Sequence, residues 1–163
     1  MGDRGFACVS LFNPKTPANV GGVLRACDAF GVAQVTLSGT RGAWIAHGTN
    51  TTRAERHVPV IVADDPLAAH PHGVEVVAVD LVEGARPLPR FHHPDRALYV
   101  FGPEDGTLGR SVLDRAHHRL MVPTRRCLNL ASCVCVVLYD RAAKRGEHGM
   151  MFPRQPALEG VSA

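Results

Sequence analysis

Short apolar runs alternate along this chain with stretches in which apolar residues recur at helical spacing. The runs predict strands at residues 7–11, 34–37, 58–62, 74–79, 97–101 and 119–122. The helical spacing predicts helices at residues 20–30, 66–70, 111–116 and 128–145. This alternation is typical of α/β domains in which helices flank a parallel sheet. The sequence therefore predicts a single layered domain over residues 1–163, with a partly ordered, Pro-rich tail from about residue 148.

Composition excludes several classes of protein. The apolar runs are shorter than the roughly 20 residues that a membrane span needs, and residues 1–4 lead into a strand rather than a signal peptide. We therefore expect a cytoplasmic protein with no membrane partner. The five cysteines and nine histidines lack metal-binding spacing, so we expect no metal, reduced buried thiols, and surface or turn histidines. A net charge of +3 permits nucleic-acid binding without requiring it.

The segment from Asn19 to Arg25 conflicts with ordinary helix formation. Gly21 and Gly22 stand in the first turn of a predicted helix, where each costs roughly 1 kcal/mol relative to alanine. Such conflicts occur mostly at functional sites. The glycines predict the close approach of another backbone or a ligand, with Arg25 one turn further along the same face. Asn19, which follows Pro17, suits the N-cap of this helix.

Three motifs, in this order, resemble those of the SpoU/TrmH family of RNA ribose 2′-O-methyltransferases, within the SPOUT class. The first is Asn-x-Gly-x-x-x-Arg at residues 19–25, and the second is Phe-Gly-x-Glu at residues 101–104, with Gly106 one place early. The third is Val-Pro, a short loop and Cys-Leu-Asn, at residues 122–129. In this motif Cys127 replaces the family's serine, and the loop at residues 124–126 is shorter than usual. Three motifs at fitting spacing are far more specific than one.

The resemblance implies a SPOUT fold, in which a parallel sheet flanked by helices ends in a deep trefoil knot near the C-terminus. No Gly-x-Gly-x-x-Gly follows a predicted strand, so the sequence does not support a Rossmann-type cofactor site. The resemblance implies instead that bent S-adenosyl-L-methionine (AdoMet) binds among the loops, mainly through backbone groups. The residues that it assigns to this cofactor are Val79, Phe101, Gly102, Val122, Cys127 and Leu128.

The same resemblance assigns catalysis to Arg25, Asn19, Glu104 and Asn129. Methyl transfer to a ribose hydroxyl needs a positioned acceptor, a path for its proton and stabilisation of developing charge. Arginine stays protonated up to a pH above roughly 12, so we expect Arg25 to grip a phosphate and polarise the 2′-hydroxyl. The family also attaches a general-base role to this arginine. Asn19, Glu104 and Asn129 are expected to frame the site, while simpler roles as helix caps or turn residues stay open.

Residues 128–138 are apolar on nearly every side, which predicts a helix buried all round. In a domain this small, such a helix either meets a second subunit or forms the core of a monomer. The resemblance favours a homodimer with its active sites at the interface.

The chain resembles the minimal TrmL-like members of the family, which modify tRNA. We therefore expect tRNA as the substrate, rRNA as the alternative, and no action on DNA, which lacks the 2′-hydroxyl. Two other classes stay open: a catalytically silent knotted RNA-binding protein and an unrelated nucleotide-binding α/β protein. The candidate RNA contacts lie in a long loop predicted over residues 38–56 and beside the cofactor loop. They are Arg41, His47, Arg53, Arg56, Arg125 and Arg126.

Overall fold

The computed structural model describes residues 5–41 and 57–146. Within these ranges the strands are β1 (Ala7–Phe12), β2 (Gln34–Ser38), β3 (Val60–Ala63), β4 (Glu75–Val79), β5 (Arg86–Pro87), β6 (Ala97–Phe101) and β7 (His118–Met121). The helices are α1 (Pro17–Ala29), α2 (Arg110–Leu113) and α3 (Leu130–Arg145), with a 3-10 turn at Leu88–Arg90. The tail expected from about residue 148 lies outside the described residues.

The seven strands form one sheet in the order β3-β2-β1-β6-β4-β7-β5. Every neighbouring pair is parallel. Alternate residues of the central strands enter two separate apolar clusters, so both faces of the sheet are covered. The predicted α/β class with a parallel sheet is therefore confirmed. None of the helices in the described ranges is both long enough and apolar enough to span a membrane.

All the predicted strands are present, with ends within two residues of those expected. The helix predicted at residues 66–70 is wrong, because this segment forms turns and bends. Asp65 accepts a hydrogen bond from the Leu67 N–H, and buried Ser10 donates to the Pro66 carbonyl, so side chains hold it in a non-helical path. The helix predicted at residues 111–116 is shorter than expected, and the two-residue strand β5 was not predicted.

Helix α1 begins at Pro17, with Thr16 at its N-cap position, so the N-cap prediction for Asn19 is wrong. Proline is favoured at the first helical position because its missing N–H has no partner to lose there. Asn19 consequently lies in the first turn, and its side chain is available for contacts with other parts of the chain.

The close approach predicted at the glycine pair is the packing of α1 against α3. A Cβ built on Gly22 would lie 2.8 Å from the Cβ of Ala131, closer than two carbons can approach. Gly21 is itself buried. Gly22 therefore lets the first turns of the two helices approach, and its cost in helix propensity is offset by that contact.

One face of α3 is exposed, so the prediction of a helix buried all round is wrong within one chain. Val134, Val137 and Leu138 are buried, whereas Val136 is 39% exposed and Tyr139 is 63% exposed. The exposed residues Val136 and Tyr139 recur at helical spacing and form an apolar stripe on α3.

Cys127 is also exposed, contrary to the buried thiols expected, although Cys8 and Cys27 are buried.

His93 is not one of the surface or turn histidines that were expected. Its side chain is buried, with Nδ1 2.6 Å from the Tyr99 hydroxyl and Nε2 2.8 Å from the Asp140 carboxylate. Burial lowers the pKa of His93, and the hydrogen bond to Asp140 opposes this effect only in part. Arg141 also donates to the Tyr99 hydroxyl. These side chains connect the middle of β6 to the second half of α3.

Candidate active site

The candidate site lies at the carboxyl ends of the central strands. β1 pairs with β2 on one side and with β6 on the other. The strand order therefore reverses at β1, with β2 and β3 on one side and the later strands on the other. In parallel sheets, ligands bind outside the carboxyl ends of the strands at such a reversal. The segments that follow these strands are residues 13–16 after β1, 102–108 after β6, 80–82 after β4 and 122–129 after β7.

Glu104 is the centre of a hydrogen-bonded cluster that joins the loop after β6 to the start of α1. Its Oε1 accepts from Asn19 Nδ2 at 2.7 Å and from the Thr16 hydroxyl at 3.1 Å. Its Oε2 accepts from the backbone N–H of Lys15 at 2.8 Å. Glu104 therefore fixes the loop that precedes α1 as well as the Asn19 side chain.

Asn129 extends this cluster to α3. Its Nδ2 donates to Asn19 Oδ1 at 2.7 Å, while its own Oδ1 accepts from the Ala131 N–H at 2.9 Å. Asn129 is thus both the N-cap of α3 and a bridge to Asn19. The structure brings together three of the four residues assigned to catalysis, in the order Glu104, Asn19, Asn129.

The Glu104 carboxylate remains ionised at neutral pH. Partial burial raises its pKa, but the hydrogen bonds from Asn19, Thr16 and the Lys15 N–H outweigh burial, so the net pKa is below its ordinary value. Because an ionised carboxylate only accepts hydrogen bonds, Asn19 must turn its NH2 group toward Glu104. Asn19 Oδ1 then faces Asn129, which fixes the direction of every bond in the cluster.

Arg25 lies one turn beyond Gly22 on α1 and is half-buried. One terminal nitrogen of its guanidinium is 3.9 Å from the position that a Cβ on Gly22 would occupy. The side chain therefore runs back along α1 toward its N-terminus, as long helical side chains do, and reaches the contact between α1 and α3. This places a permanent positive charge beside the first turns of both helices.

The six residues assigned to the cofactor surround the same ends of β4, β6 and β7. Val79 and Phe101 are the last residues of neighbouring strands, paired in register, and both side chains are buried in the core. Only their backbone groups are suited to contact a ligand there. Val122 is half-buried, whereas Cys127 and Leu128 are exposed. At Gly102, a Cβ would lie 3.3 Å from the Leu108 nitrogen, because the loop folds back over this residue.

Sequence reasoning missed Asp80 and Leu81, which follow β4. Asp80 Oδ2 accepts from the Leu108 N–H at 2.6 Å, and Oδ1 accepts from the Leu81 N–H at 2.7 Å. Asp80 thereby holds the loops after β4 and β6 together. Leu81 is 57% exposed and Leu128 is 38% exposed, so two apolar side chains border this edge of the sheet. The signal in the sequence was an aspartate directly after a buried strand.

Arg41, a candidate RNA contact, is engaged within the chain. Its guanidinium binds both carboxylate oxygens of Asp105, at 3.0 and 2.9 Å, and donates to the Asn13 carbonyl at 2.8 Å. The hydrogen bonds from Arg41 lower the pKa of Asp105 to about 2. Arg125 and Arg126 are exposed, as RNA contacts require, and His47, Arg53 and Arg56 lie outside the described residues.

The site has three parts. They are the hydrogen-bonded frame of Glu104, Asn19 and Asn129, the guanidinium of Arg25, and the backbone groups at the carboxyl ends of β4, β6 and β7. Within residues 5–41 and 57–146, no cluster of His, Cys, Asp or Glu has the grouping that would hold a metal ion. The hydrogen-bonded frame and the Arg25 guanidinium can supply positioning, hydrogen bonding and stabilisation of negative charge.

Comparison with known proteins identifies a family with this fold. The sequence model of the SpoU rRNA Methylase family matches residues 7–139. Among curated proteins, no sequence matches the chain significantly.

Solved structures of similar fold include the SpoU methyltransferase AviRb from Streptomyces viridochromogenes in complex with AdoMet. Its TM-score is 0.74 at 20% identity over 88% of this chain, which spans 62% of the AviRb chain. The TrmH/SpoU tRNA modifying enzyme of A. aeolicus gives a TM-score of 0.75 at 21% identity, covering 85% of this chain and 75% of that one. A structure solved to study the 2-OH methylation of C/U34 on tRNA gives 0.70 at 26% identity, covering 86% and 91% of the two chains.

Proposed function

The chain belongs to the SpoU rRNA methylase family, and we propose that it transfers a methyl group from AdoMet to a ribose 2′-hydroxyl of RNA, with tRNA as the substrate. The observation that most supports this activity is the hydrogen-bonded connection from Glu104 through Asn19 to Asn129. This connection links the three sequence motifs at a position beside Arg25. The family to which the chain belongs is one of methylases.

The surface at the carboxyl ends of β4, β6 and β7 fits AdoMet. When bound, the cofactor would supply an electrophilic methyl group on a sulfonium. The strand-end backbone at Val79 and Phe101 would hold its polar groups, and Gly102 keeps the backbone accessible. The exposed leucines Leu81 and Leu128 offer apolar surface to an adenine ring. AviRb, which shares this fold, has been solved in complex with AdoMet.

Arg25 would act on the RNA. Its permanent charge and planar fork suit a backbone phosphate, and a guanidinium close to the acceptor would polarise the 2′-hydroxyl and stabilise the charge that develops on its oxygen. The frame of Asn19, Glu104 and Asn129 would hold α1 and α3 so that Arg25 stays in place. We assign Arg25 to charge stabilisation rather than to proton abstraction, because a protonated guanidinium has no free site at which to accept a proton.

The choice of tRNA rests on structural relatives. The structure concerned with C/U34 of tRNA matches this chain over 91% of its own length, and the A. aeolicus protein is described as a tRNA modifying enzyme. The family description names rRNA, which makes rRNA the second candidate.

Cofactor binding tests this proposal without RNA. Saturating AdoMet should raise the free energy of unfolding by about 2.7 kcal/mol at 100 times its Kd. Leu81→Asp should weaken AdoMet binding, because it places a charge on the apolar border of the site. Val62→Asp is the matched control, since Val62 is 55% exposed but lies on the edge strand β3. Equal melting curves with and without AdoMet would contradict the proposal.

We propose that the path of the chain through β4, β7 and α3 forms the deep trefoil knot of the SPOUT class. The support is family membership, together with the position of β4 between β6 and β7 and the packing of α3 back onto α1. An experimentally determined structure with residues 75–145 fully traced, which includes β4, β7 and α3, tests this. A path that threads through no loop would contradict it.

We also propose a homodimer in which the exposed stripe of α3 meets a second copy. Val136 and Tyr139 present apolar surface on a helix whose other face is buried. Light scattering at micromolar concentration should report twice the 17.5 kDa mass of the chain. Val136→Glu should shift the protein to monomer, whereas Val62→Glu on β3 should leave the mass unchanged. A wild-type particle of 17.5 kDa would contradict this assembly.

A further inference from the structure

A basic cavity of about 340 Å³ opens where β7 begins, at the opposite end of that strand from the candidate active site. Its lining consists of Gly84, Arg86, Ala116, His117, His118 and Arg119. No carboxylate belongs to this lining. Glu75 lies next to it, but its Oε2 is 2.6 Å from His118 Nε2, so that carboxylate is engaged by one of the lining residues. The lining itself therefore contains two arginines and no acidic side chain.

The two arginines are placed differently. Arg119 makes long contacts of 3.5 Å with the backbone carbonyls of Glu83 and Leu113, which position its guanidinium between the loop after β4 and the end of α2. These contacts use two of its five N–H donors, so others are available to a ligand. The Arg86 backbone pairs with β7, whereas its guanidinium makes no hydrogen bond or ion pair with residues 5–41 and 57–146. A guanidinium is a cation whose planar fork of N–H donors suits an oxyanion.

His117 adds a donor whose direction is fixed by the backbone. Its Nδ1 accepts a hydrogen bond from the Val76 N–H at 3.0 Å. The neutral ring must then hold its proton on Nε2, so His117 presents a donor on the side away from Val76. The lining thus holds two arginine side chains and a histidine whose Nε2 carries an N–H donor.

We propose that this cavity binds a phosphate of the RNA backbone, as a contact separate from the site of methyl transfer. The inference rests on the proposed function, because it takes RNA to be the substrate. Arginine forks match the geometry of phosphate oxygens, and a cavity with excess positive charge favours a dianionic or monoanionic oxyanion over any neutral group. The ligand class is therefore a phosphate ester on a nucleic-acid strand.

The position of the cavity suits an RNA contact. β7 has four residues, so the cavity lies roughly 13 Å from the segment 122–129 that borders the candidate active site. A folded RNA arm that presents its target nucleotide to the active site extends well beyond that distance. The contact would fix the orientation of the RNA without reading its sequence, as phosphate contacts do.

Binding of tRNA across a range of salt concentrations tests the proposal. Arg86→Gln combined with Arg119→Gln should weaken tRNA binding about tenfold at constant salt. The slope of log K against log salt should become shallower by about 1, because one phosphate contact no longer releases counterion. AdoMet binding should not change. Arg110→Gln, an exposed arginine on α2 outside the cavity, is the matched control, and Arg86→Gln alone removes a side chain without disturbing the backbone contacts of Arg119.

An experiment with inorganic phosphate distinguishes a contact with RNA from a binding site for free phosphate. Titration should shift the NMR signals of the His117 ring in the wild type and not in the double variant. If those signals shift but the double variant binds tRNA as tightly as the wild type, the RNA assignment is overturned. It is equally overturned if neither readout changes. Failure of the proposed function has a different signature, because the wild-type protein itself would then transfer no methyl group to RNA.

Discussion

Replacement of Arg25 by alanine is expected to reduce methyl transfer to RNA by about 100-fold or more, the loss typical when one group that stabilises developing charge is removed. The effect should fall on kcat, because the guanidinium is proposed to act on the oxygen that becomes negative during transfer. AdoMet affinity should be unchanged, since Arg25 lies on α1 and not at the ends of β4, β6 or β7. Steady-state kinetics with labelled AdoMet, combined with calorimetric binding, measures both quantities.

Two controls make this result interpretable. Arg25→Lys keeps the charge but loses the planar fork, so its activity should lie between those of the wild type and Arg25→Ala. Arg90→Ala removes an exposed arginine on the 3-10 turn, remote from α1 in the chain, and should leave the rate unchanged. Near-normal turnover by Arg25→Ala, in a protein with wild-type melting behaviour, would refute the role proposed for this residue.

Glu104→Gln is expected to cost about 1–3 kcal/mol of folding free energy and about tenfold or more in methyl transfer. In the wild type, both carboxylate oxygens accept hydrogen bonds, from Asn19, Thr16 and the Lys15 N–H. A glutamine at this position turns an NH2 group toward at least one donor, which leaves polar groups unpaired. The loop after β6 and the first turn of α1 would then separate, and the alignment of Arg25 with α3 would loosen.

Reversal of the hydrogen bond between residues 19 and 104 distinguishes the loss of this bond from the simple loss of the Glu104 charge. When Asn19→Asp is added to Glu104→Gln, the amide at position 104 can donate to a carboxylate at position 19. That carboxylate can still accept from Asn129 Nδ2, so the bond between positions 104 and 19 is restored with reversed polarity while the bond to Asn129 keeps its direction. Denaturation and kinetics should both show partial rescue. Glu83→Gln serves as a control at an exposed glutamate, and additive losses in the double variant would contradict the account.

Local sequence patterns were sufficient to predict the strands and helices in which buried residues recur at regular spacing. The sequence predicts a strand at residues 97–101, and β6 is found there because all five side chains are buried between two apolar layers. The start of α1 was predicted three residues too late, since the preference of asparagine for N-caps competes with the preference of proline for the first helical position. At residues 66–70, hydrogen bonds from Ser10 and to Asp65 override the helical pattern.

The candidate site was only partly predictable, because its bonds join residues far apart in the sequence. The motifs indicated Asn19, Glu104 and Asn129, but not that Glu104 is bound to the loop before α1. Nothing local to Asp80 predicts its bond to Leu108, which depends on β4 lying next to β6. The burial of His93 likewise depends on Asp140, which lies on α3 in the folded chain and far away in the sequence.

The most direct test of the proposed function is to find where a transferred methyl group goes. The protein would be incubated with labelled AdoMet and total tRNA, with rRNA and DNA of matched sequence as parallel substrates, and the products digested to nucleosides. The account predicts label in a 2′-O-methylated nucleoside from tRNA, none in DNA, and almost none with Arg25→Ala. Label found only on a base, or only in rRNA, would contradict it.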